Sequence, residues 1–442
     1  MLDSEFFLFM PPHTFTLTID RLAYGPAGVG RTDGKVVFVP GTVPGDEVEV
    51  ALDKEKKTYA TGTVVTLRRA SPQRRHPPCP YVPRCGGCPW QQVVYAEQLR
   101  AKETLVREQM RRIGGIADPP LLPIIPSPQE WHYRHRIRLH AEDNARLGFS
   151  HASSHELVEI ESCLIAGENV TASLRDARAW LASLRTPVRQ VELVTGDPTD
   201  GHDSQGVVLI GTAEGALHAS DETACARFLA AHPGVAGVAL CGKGWRRLWG
   251  ETQVSFAVGL DDLTFTVSQG VFTQVNPAGN RTLLATLLRL GDFQAEQRVI
   301  ELYCGAGNLS LPLARRVREL IGIEQDRVAV RDARANAARA GLANARFVCA
   351  SARTGVHNLL RTGVRGEVVV LDPPRTGAAE VIDAVPRLGA RRVVYVSCDP
   401  ATLARDLRRL SAHGYQVRAL QPLDLFPHTY HVETLAVSIL TC

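Results

Sequence analysis

The sequence has no apolar run approaching the roughly 18 residues that a membrane-spanning helix needs, so we expect no membrane segment. It also lacks internal repeats, low-complexity tracts and a large excess of one charge: 50 Lys and Arg against 46 Asp and Glu give a net charge of +4. This balance permits a nucleic-acid partner without requiring one. With 45% hydrophobic and 22% charged residues, the composition excludes wholesale disorder, a fibrous protein and a coiled coil.

The first residues lack the features of a signal peptide, because their short apolar stretch follows acids rather than Lys or Arg and has no cleavage site. We therefore expect a cytoplasmic protein, in which cysteines stay reduced and act as ligands or nucleophiles. Ten cysteines in 442 residues are too few for a disulfide scaffold. Met10 is an alternative to Met1 as the start of translation.

The length predicts two to four domains, and the chain divides by pattern into three. Residues 1–70 contain five short strands separated by Gly- and Pro-rich turns, which predicts a small barrel of the OB type. Such a barrel is either an oligonucleotide binder or a purely structural domain. Residues 71–262 predict a mixed α+β central domain with a helix within 91–113, expected to pack on the catalytic domain, and another near 168–184.

Residues 263–442 alternate strands with helices, which predicts a doubly wound, Rossmann-like parallel sheet. The predicted elements are Val299–Tyr303, a helix to Arg318, Leu320–Glu324, the helix Val328–Ala340, Phe347–Cys349, Glu367–Leu371, a further helix, Arg392–Ser397 and the helix Ala401–Ala412.

Three cysteines, Cys79, Cys85 and Cys88, fall within ten residues in a proline-stiffened loop at the start of the central domain. Thiolates bind soft metals, and four of them are needed for tetrahedral zinc or for an iron–sulfur cluster. Cys163 is the nearest further cysteine in the sequence. The spacing predicts a metal site and leaves the choice between zinc and iron open.

The catalytic domain carries polar residues directly after its predicted strands. A glycine-rich turn, Gly305-Ala306-Gly307, follows one strand, and Ser310 stands where a dinucleotide fingerprint has its third glycine, which disfavours NAD. Glu324 ends the next strand and suits ribose hydroxyls, while Asp372 opens the run Asp-Pro-Pro-Arg at another strand end.

Cys398 follows the strand Arg392–Ser397 and is either a nucleophile or a core cysteine. The run Phe426–Glu433 offers two histidines and a carboxylate as general base and orienting groups, or else forms a solvated hairpin tip.

Together these motifs resemble the iron–sulfur-containing RNA uridine-C5 methyltransferases, which form 5-methyluridine from S-adenosylmethionine, along nearly the whole chain. The first domain resembles a TRAM domain, and the ordered matching runs are 272–276, 302–309, 372–375, 397–406 and 426–433. The chain departs from the family pattern at Leu309, where Phe is usual, and at Ala350-Ser351, where Asn or Asp usually meets adenine. The resemblance implies an S-adenosylmethionine-dependent methyltransferase fold preceded by the TRAM barrel and a central domain carrying the cluster.

Residue by residue, the resemblance implies Cys398 as the nucleophile and Glu433 as the base. It also implies two larger sets and one further residue, Phe272, at the border of the site. The sets are Gln274, Tyr303, Asn308, Glu324 and Asp372 around S-adenosylmethionine, and Cys79, Cys85, Cys88 and Cys163 as ligands of a 4Fe-4S cluster. Addition of the thiolate to C6 of uracil would activate C5 to attack the methyl group, after which the base removes the C5 proton.

Trp131–His140 is expected to form a strand whose one face is a basic ridge for RNA phosphates. The ridge would consist of His132, Arg134, Arg136, Arg138 and His140, and the alternative is a solvated charged face. The opposite parity holds Trp131, Tyr133, Ile137 and Leu139 as apolar core.

The resemblance implies 5-methyluridine in 23S ribosomal RNA as the product, because the TRAM domain and the cysteine arrangement are similar to those of that branch of the family. We also expect a monomer with RNA as its partner. Transfer RNA is the alternative substrate. Two other functions compete: a non-catalytic RNA-binding protein on the same scaffold, and a zinc-bearing base methyltransferase acting on DNA.

Overall fold

The computed structural model describes residues 14–152, 154–197, 206–258 and 263–441. The choice between Met1 and Met10 as the start, and Cys442, lie outside these residues. None of the described helices is both long and apolar enough to cross a membrane. The chain forms two compact units, one made of Met1–Val82, Gly87–Ala101 and His428–Tyr430 and the other of Pro83–Gly86, Lys102–Pro427 and His431–Cys442.

The first unit contains a closed five-stranded barrel in the order β1-β2-β3-β5-β4, as the alternating sequence predicts. Its strands are β1 (Thr14–Leu22), β2 (Ala27–Thr32), β3 (Lys35–Pro40), β4 (Glu47–Glu55) and β5 (Tyr59–Arg69). Every second residue points inward, and the barrel core consists of Leu17, Ile19, Val37, Val39, Val48, Val50 and Ala60. Gly30 permits the close approach of β1 and β2, because a Cβ there would lie 2.5 Å from the Thr18 carbonyl oxygen.

Helix α1 (Tyr95–Arg112) begins in the first unit and ends in the second. The second unit then forms a seven-stranded sheet in the order β12-β11-β10-β9-β6-β7-β8. The elements of this part are β6 (Arg136–Glu142), β7 (Arg146–Ser150), β8 (Leu157–Glu159), α2 (Glu168–Ala172), α3 (Leu174–Ser183), β9 (Val188–Val194), β10 (Val207–Ala213), α4 (Ser220–Ala231), β11 (Val235–Gly242) and β12 (Trp245–Gly250).

Two predictions for this sheet region need correction. The single helix near 168–184 is two helices, because Ser173 has ψ near 0° and its N–H donates to both Asn169 and Thr171 carbonyls. The strand expected from Trp131 begins only at Arg136, because His132 has a left-handed backbone with φ of 54°.

The remainder of the second unit is a hairpin followed by a second seven-stranded sheet in the order β17-β16-β15-β18-β19-β21-β20. The elements are β13 (Val254–Ala257), β14 (Thr264–Val267), α5 (Pro277–Gly291), β15 (Arg298–Leu302), α6 (Ser310–Ala314), β16 (Glu319–Glu324), α7 (Arg327–Arg339), β17 (Ala345–Cys349), α8 (Ala352–Arg361), β18 (Val368–Leu371), β19 (Arg392–Ser397), α9 (Pro400–Ala412), β20 (Tyr415–Leu423) and β21 (Glu433–Leu440). In this order the first five strands, from β17 to β19, are parallel to one another. Strand β21 runs antiparallel to both β19 and β20.

This sheet confirms the predicted doubly wound α/β architecture and differs from the sequence prediction in three helices. The helix expected to reach Arg318 ends at Ala314, the helix expected between β18 and β19 is the 3-10 helix Ile382–Leu388, and α8 was not predicted. Helix α8 is hidden in the sequence because Thr354, Gly355 and Asn358 are weak helix formers. Ser351 caps it, its Oγ accepting a hydrogen bond from Thr354 N.

The parallel sheet separates two cores, and successive strand residues enter them alternately. Val299 packs in one core and Ile300 in the other, as expected for a strand covered on both faces. Val106 and Met110 of α1 lie fully buried in the same core as Ile300. The carboxyl ends of β15, β18 and β19 are therefore held at one edge of a rigid sheet.

Candidate active site

The candidate site lies where the doubly wound sheet changes direction, between β15 and β18. Leu302 is the register partner of Leu371, so the residues that follow these two strands, Tyr303 and Asp372, leave the sheet side by side. Cys398 follows the next strand, β19. The three polar strand ends predicted from the sequence thus meet at one edge.

Cys398 and Glu433 are brought together by the reversed strand β21. Ser397, the residue before Cys398, pairs with Thr434, the residue after Glu433. Glu433 is 2% exposed and Cys398 is half-buried. A buried carboxyl group therefore stands next to the thiol, which is the arrangement that a nucleophile and a base require.

The acidic groups of the site favour their protonated forms because they share a buried position. Burial raises the pKa of Asp372 to about 7, and burial together with the charge of Asp372 raises the pKa of Glu433 well above its usual range. Burial and the neighbouring charge of Glu433 raise the pKa of the Cys398 thiol to about 12. A thiolate at this position therefore needs an added stabilising charge.

Arg375 is the cation that opposes these shifts, since its charge lowers the pKa of both Cys398 and Glu433. Its Nη2 lies 3.2 Å from Nε2 of His431. Burial and the charge of Arg375 lower the pKa of His431 to about 4, so the imidazole is neutral and can accept a hydrogen bond from the guanidinium. The other histidine of this motif, His428, belongs to the first unit, where its Nδ1 lies 3.2 Å from Gln98 Nε2.

The glycine-rich turn forms the opposite side of the strand edge. Gly305 has φ of 54° with open space where a Cβ would project, and its N–H donates to Glu324 Oε2 at 3.2 Å. The side-chain amides of Asn308 and Asn280 exchange two hydrogen bonds of 2.7 and 2.9 Å, which fixes the orientation of Asn308. This open glycine backbone with a carboxylate at the next strand end fits a ligand carrying a ribose.

The two motif residues before α5 are placed differently. Phe272 is 71% exposed, whereas Gln274 is half-buried. Asn276, two residues further on, caps α5, its Oδ1 accepting from Gly279 N at 2.8 Å.

Glu301 is a site residue that the sequence reading missed. It is 1% exposed near the carboxyl end of β15, and burial raises its pKa to about 8. Its Oε2 accepts a hydrogen bond from Ser310 Oγ at 2.6 Å, and Oε1 has no partner within the described part of the chain. A lone acidic residue within an apolar strand was the signal that could have identified it.

Two acidic residues in the run 397–406 have structural roles. Asp399 caps α9, with Oδ1 accepting from the N–H groups of Ala401 and Thr402. Buried Asp406 accepts from Tyr395 Oη and Ala378 N, each at 2.8 Å, and so anchors the segment after Asp372–Arg375.

The predicted basic ridge is only partly present. Arg136 and Arg138 lie on the same face of β6 and both form ion pairs with Glu192 of β9. The Arg136 side chain is 14% exposed and that of Arg138 is 62% exposed. His132 and Arg134 precede the strand. The His132 imidazole lies against the carbonyl oxygen of Ala166, and the Arg134 guanidinium donates to the carbonyl oxygen of Arg136. One carboxylate therefore offsets two of the expected cations.

The four predicted metal ligands, Cys79, Cys85, Cys88 and Cys163, are all half-buried. Among the residues that the structure describes, no group of three or more His, Cys, Asp or Glu side chains is placed to hold a metal ion. The described residues therefore do not support the 4Fe-4S cluster, which stays a prediction.

Comparison with known proteins adds independent findings. Residues 252–439 match the family model described as tRNA (Uracil-5-)-methyltransferase, and residues 10–65 match the TRAM domain model. The chain is 36% identical to an uncharacterized RNA methyltransferase of Gloeobacter violaceus, with 96% of each chain covered. It is 34% identical to the 23S rRNA (uracil(1939)-C(5))-methyltransferase RlmD of Pectobacterium atrosepticum, covering 97% of this chain and 94% of the relative.

Among solved structures, the chain is similar to the tRNA (uracil-54, C5)-methyltransferase of Pyrococcus abyssi in complex with S-adenosyl-L-homocysteine. The TM-score is 0.73 at 24% identity, with 96% of this chain and all of that chain covered. This likeness concerns the fold.

Proposed function

Since the chain belongs to the S-adenosylmethionine-dependent RNA uracil-C5 methyltransferases, we propose that it methylates a uridine of 23S ribosomal RNA through a covalent bond between Cys398 and C6. The observation that carries the mechanism is the register of β19 and β21, which brings the Cys398 thiol beside the Glu433 carboxyl group.

Cys398 is the nucleophile. The thiol first gives its proton to water, and the resulting thiolate Sγ bonds to C6. The electron pair of the C5–C6 double bond then moves towards C5, which becomes nucleophilic. The raised thiol pKa means that the thiolate must be stabilised when the RNA is bound, and Arg375 is the nearby cation that does so. S-adenosylmethionine supplies the methyl group that C5 attacks.

Glu433 is the base. After methyl transfer C5 carries both a hydrogen and the new methyl group, and the Glu433 carboxylate removes the hydrogen as a proton. The electron pair of the C5–H bond restores the C5–C6 double bond and expels the Cys398 thiolate. Glu433 must be ionised for this step, and Arg375 favours that form.

S-adenosylmethionine would be held by Gln274, Tyr303, Asn308, Glu324 and Asp372. The open, left-handed Gly305 and the carboxylate of Glu324 suit the nucleoside part, and Asn280 keeps the amide of Asn308 oriented. Phe272 is 71% exposed, and its ring offers a face on which an RNA base can stack.

Ribosomal RNA is preferred as the substrate because a relative covered over 94% of its length carries 23S rRNA uracil-C5 methyltransferase activity in its name. Transfer RNA is the second candidate, favoured by the description of the matching family model. RNA would also contact His132, Arg134, Arg136 and Arg138, and its affinity should then fall with added salt. We further propose a cytoplasmic monomer divided into domains at residues 1–70, 71–262 and 263–442.

The iron–sulfur cluster remains a proposal supported by the chemistry of four thiols, three of them within ten residues. No step of the reaction is derived through it. Measuring iron and acid-labile sulfide in anaerobically purified protein tests it, and zinc in place of iron would contradict it.

The test of the mechanism compares Cys398→Ala with Glu433→Gln, using ribosomal and transfer RNA from a strain that lacks the protein. Cys398→Ala should form neither 5-methyluridine nor an adduct, whereas Glu433→Gln should accumulate RNA covalently bound to protein on a denaturing gel. Cys349→Ala is the matched control, because Cys349 also ends a strand of this sheet and is exposed. Methylation by Cys398→Ala would refute the mechanism, and wild-type protein that methylates neither RNA would favour a non-catalytic RNA-binding role.

A further inference from the structure

The segment after β20 is held at three consecutive carbonyl oxygens by side chains from distant parts of the chain. Asn276 Nδ2 donates to the Leu425 carbonyl at 3.1 Å, Lys102 Nζ to the Phe426 carbonyl at 3.0 Å, and Tyr133 Oη to the Pro427 carbonyl at 3.1 Å. Each donor residue is at most 1% exposed. We call Lys102, Tyr133 and Asn276 the carbonyl clamp.

The clamp includes a buried ion pair, which an ordinary turn does not need. Lys102 Nζ donates to Asp424 Oδ1 at 2.7 Å, and the same oxygen accepts from Phe426 N at 2.9 Å. Both side chains are fully buried. A buried ion pair contributes little net stability compared with well-packed apolar residues, so its value lies in fixing one geometry.

The clamped segment adjoins the site on two sides. Leu423, which directly precedes Asp424, is the cross-strand partner of Glu433. The Phe426 ring packs edge-on against His431, with 6.0 Å between ring centroids, and His431 in turn lies against Arg375. A shift of the clamped carbonyl groups would therefore displace both Glu433 and Arg375, the cation beside Cys398.

We propose that Lys102, Tyr133 and Asn276 are positioning residues that hold Glu433 at the place required for removal of the C5 proton. This inference rests on the proposed role of Glu433. A base must come within about 2.6–3.2 Å of its proton donor, and a displacement of about 1 Å is enough to slow a step by about a hundredfold. Loss of one clamp bond should slow proton removal more than addition of Cys398 or methyl transfer.

The first test is Tyr133→Phe, which removes one hydroxyl group and leaves the ring. Its matched control is Tyr415→Phe, because Tyr415 is also buried and its hydroxyl also donates to a backbone carbonyl, that of Ala390, at the far end of β20. Both variants and wild type are assayed with RNA carrying deuterium or hydrogen at uridine C5.

Tyr133→Phe should lower kcat by about three- to tenfold with little change in KM for RNA, and its deuterium isotope effect should rise above that of wild type. Covalently bound, methylated RNA should accumulate. The control should match wild type in isotope effect and adduct level. The paired replacement Lys102→Met with Asp424→Asn, which also removes a clamp bond, should raise the isotope effect in the same way.

The clamp proposal is overturned if both clamp variants keep the wild-type isotope effect and form no adduct while Glu433→Gln traps one. A loss of kcat shared equally by Tyr133→Phe and Tyr415→Phe, with no isotope change, would also overturn it, since it would indicate lost stability alone. If Glu433→Gln itself forms no adduct, the proposed function fails and the clamp proposal falls with it.

Discussion

The buried Lys102–Asp424 pair allows a quantitative prediction, because both side chains are fully enclosed and 2.7 Å apart. Lys102→Met keeps most of the side-chain volume but removes the ammonium group. Asp424 is then left as a buried carboxylate with one hydrogen bond, from Phe426 N, since its Oδ2 has no partner among the described residues. Stranding one member of a buried pair costs about 3–5 kcal/mol, so the free energy of unfolding should fall by about that amount.

The structure supplies both the rescue and the control for this experiment. Adding Asp424→Asn to Lys102→Met removes the stranded charge and should restore at least about 2 kcal/mol, a coupling that two independent residues would not show. Arg107 pairs with Glu103 on the same helix, but their side chains are 44% and 27% exposed. Arg107→Met should therefore cost less than about 1 kcal/mol.

The assay is urea denaturation at neutral pH, followed by circular dichroism. The reasoning is refuted if Lys102→Met and Arg107→Met cost the same, or if Asp424→Asn fails to restore stability in the Lys102→Met background.

Three further predictions concern the site itself. The rate at which iodoacetamide alkylates Cys398, measured by mass spectrometry, should rise about tenfold per pH unit across neutral and mildly alkaline pH. The reason is that the thiol has a raised pKa of about 12, so only a small fraction is thiolate in this range. A rate that levels off within this range would contradict the prediction. Asn280→Ala should weaken S-adenosylmethionine binding about tenfold by calorimetry, because Asn308 loses the amide that orients it; unchanged affinity would remove that role. The His431 imidazole should titrate near pH 4 when followed by NMR. Because this pKa lies below the value in the unfolded chain, the free energy of unfolding should decrease as the pH falls from about 6.5 towards 4. A titration midpoint near 6.5 would contradict the assignment of a neutral imidazole.

Local patterns in the sequence were sufficient for the barrel and for the strand ends of the catalytic sheet. Inward residues such as Leu17 and Ile19 alternate with polar ones, and this period of two is characteristic of a strand with one buried face. Asp372 and Cys398 could be found because they follow apolar strands, whose carboxyl ends share an edge in any parallel sheet.

The features that the sequence did not reveal depend on partners far along the chain. The basic ridge was overestimated because Glu192, which pairs with Arg138, lies 54 residues away and reaches it only through the pairing of β6 and β9. Lys102 and Asp424 are 322 residues apart, so no local pattern marks either as buried. Within α1, Lys102 has the sequence character of an ordinary solvated lysine.

The reversed strand β21 also links completion of the fold to the chemistry. It lies between β19 and β20, and β20 joins the sheet only through it. A chain that stopped before β21 would contain Cys398 without Glu433 and would have no strand to attach β20 to the sheet. The strand that completes the sheet is therefore also the strand that carries the proposed base.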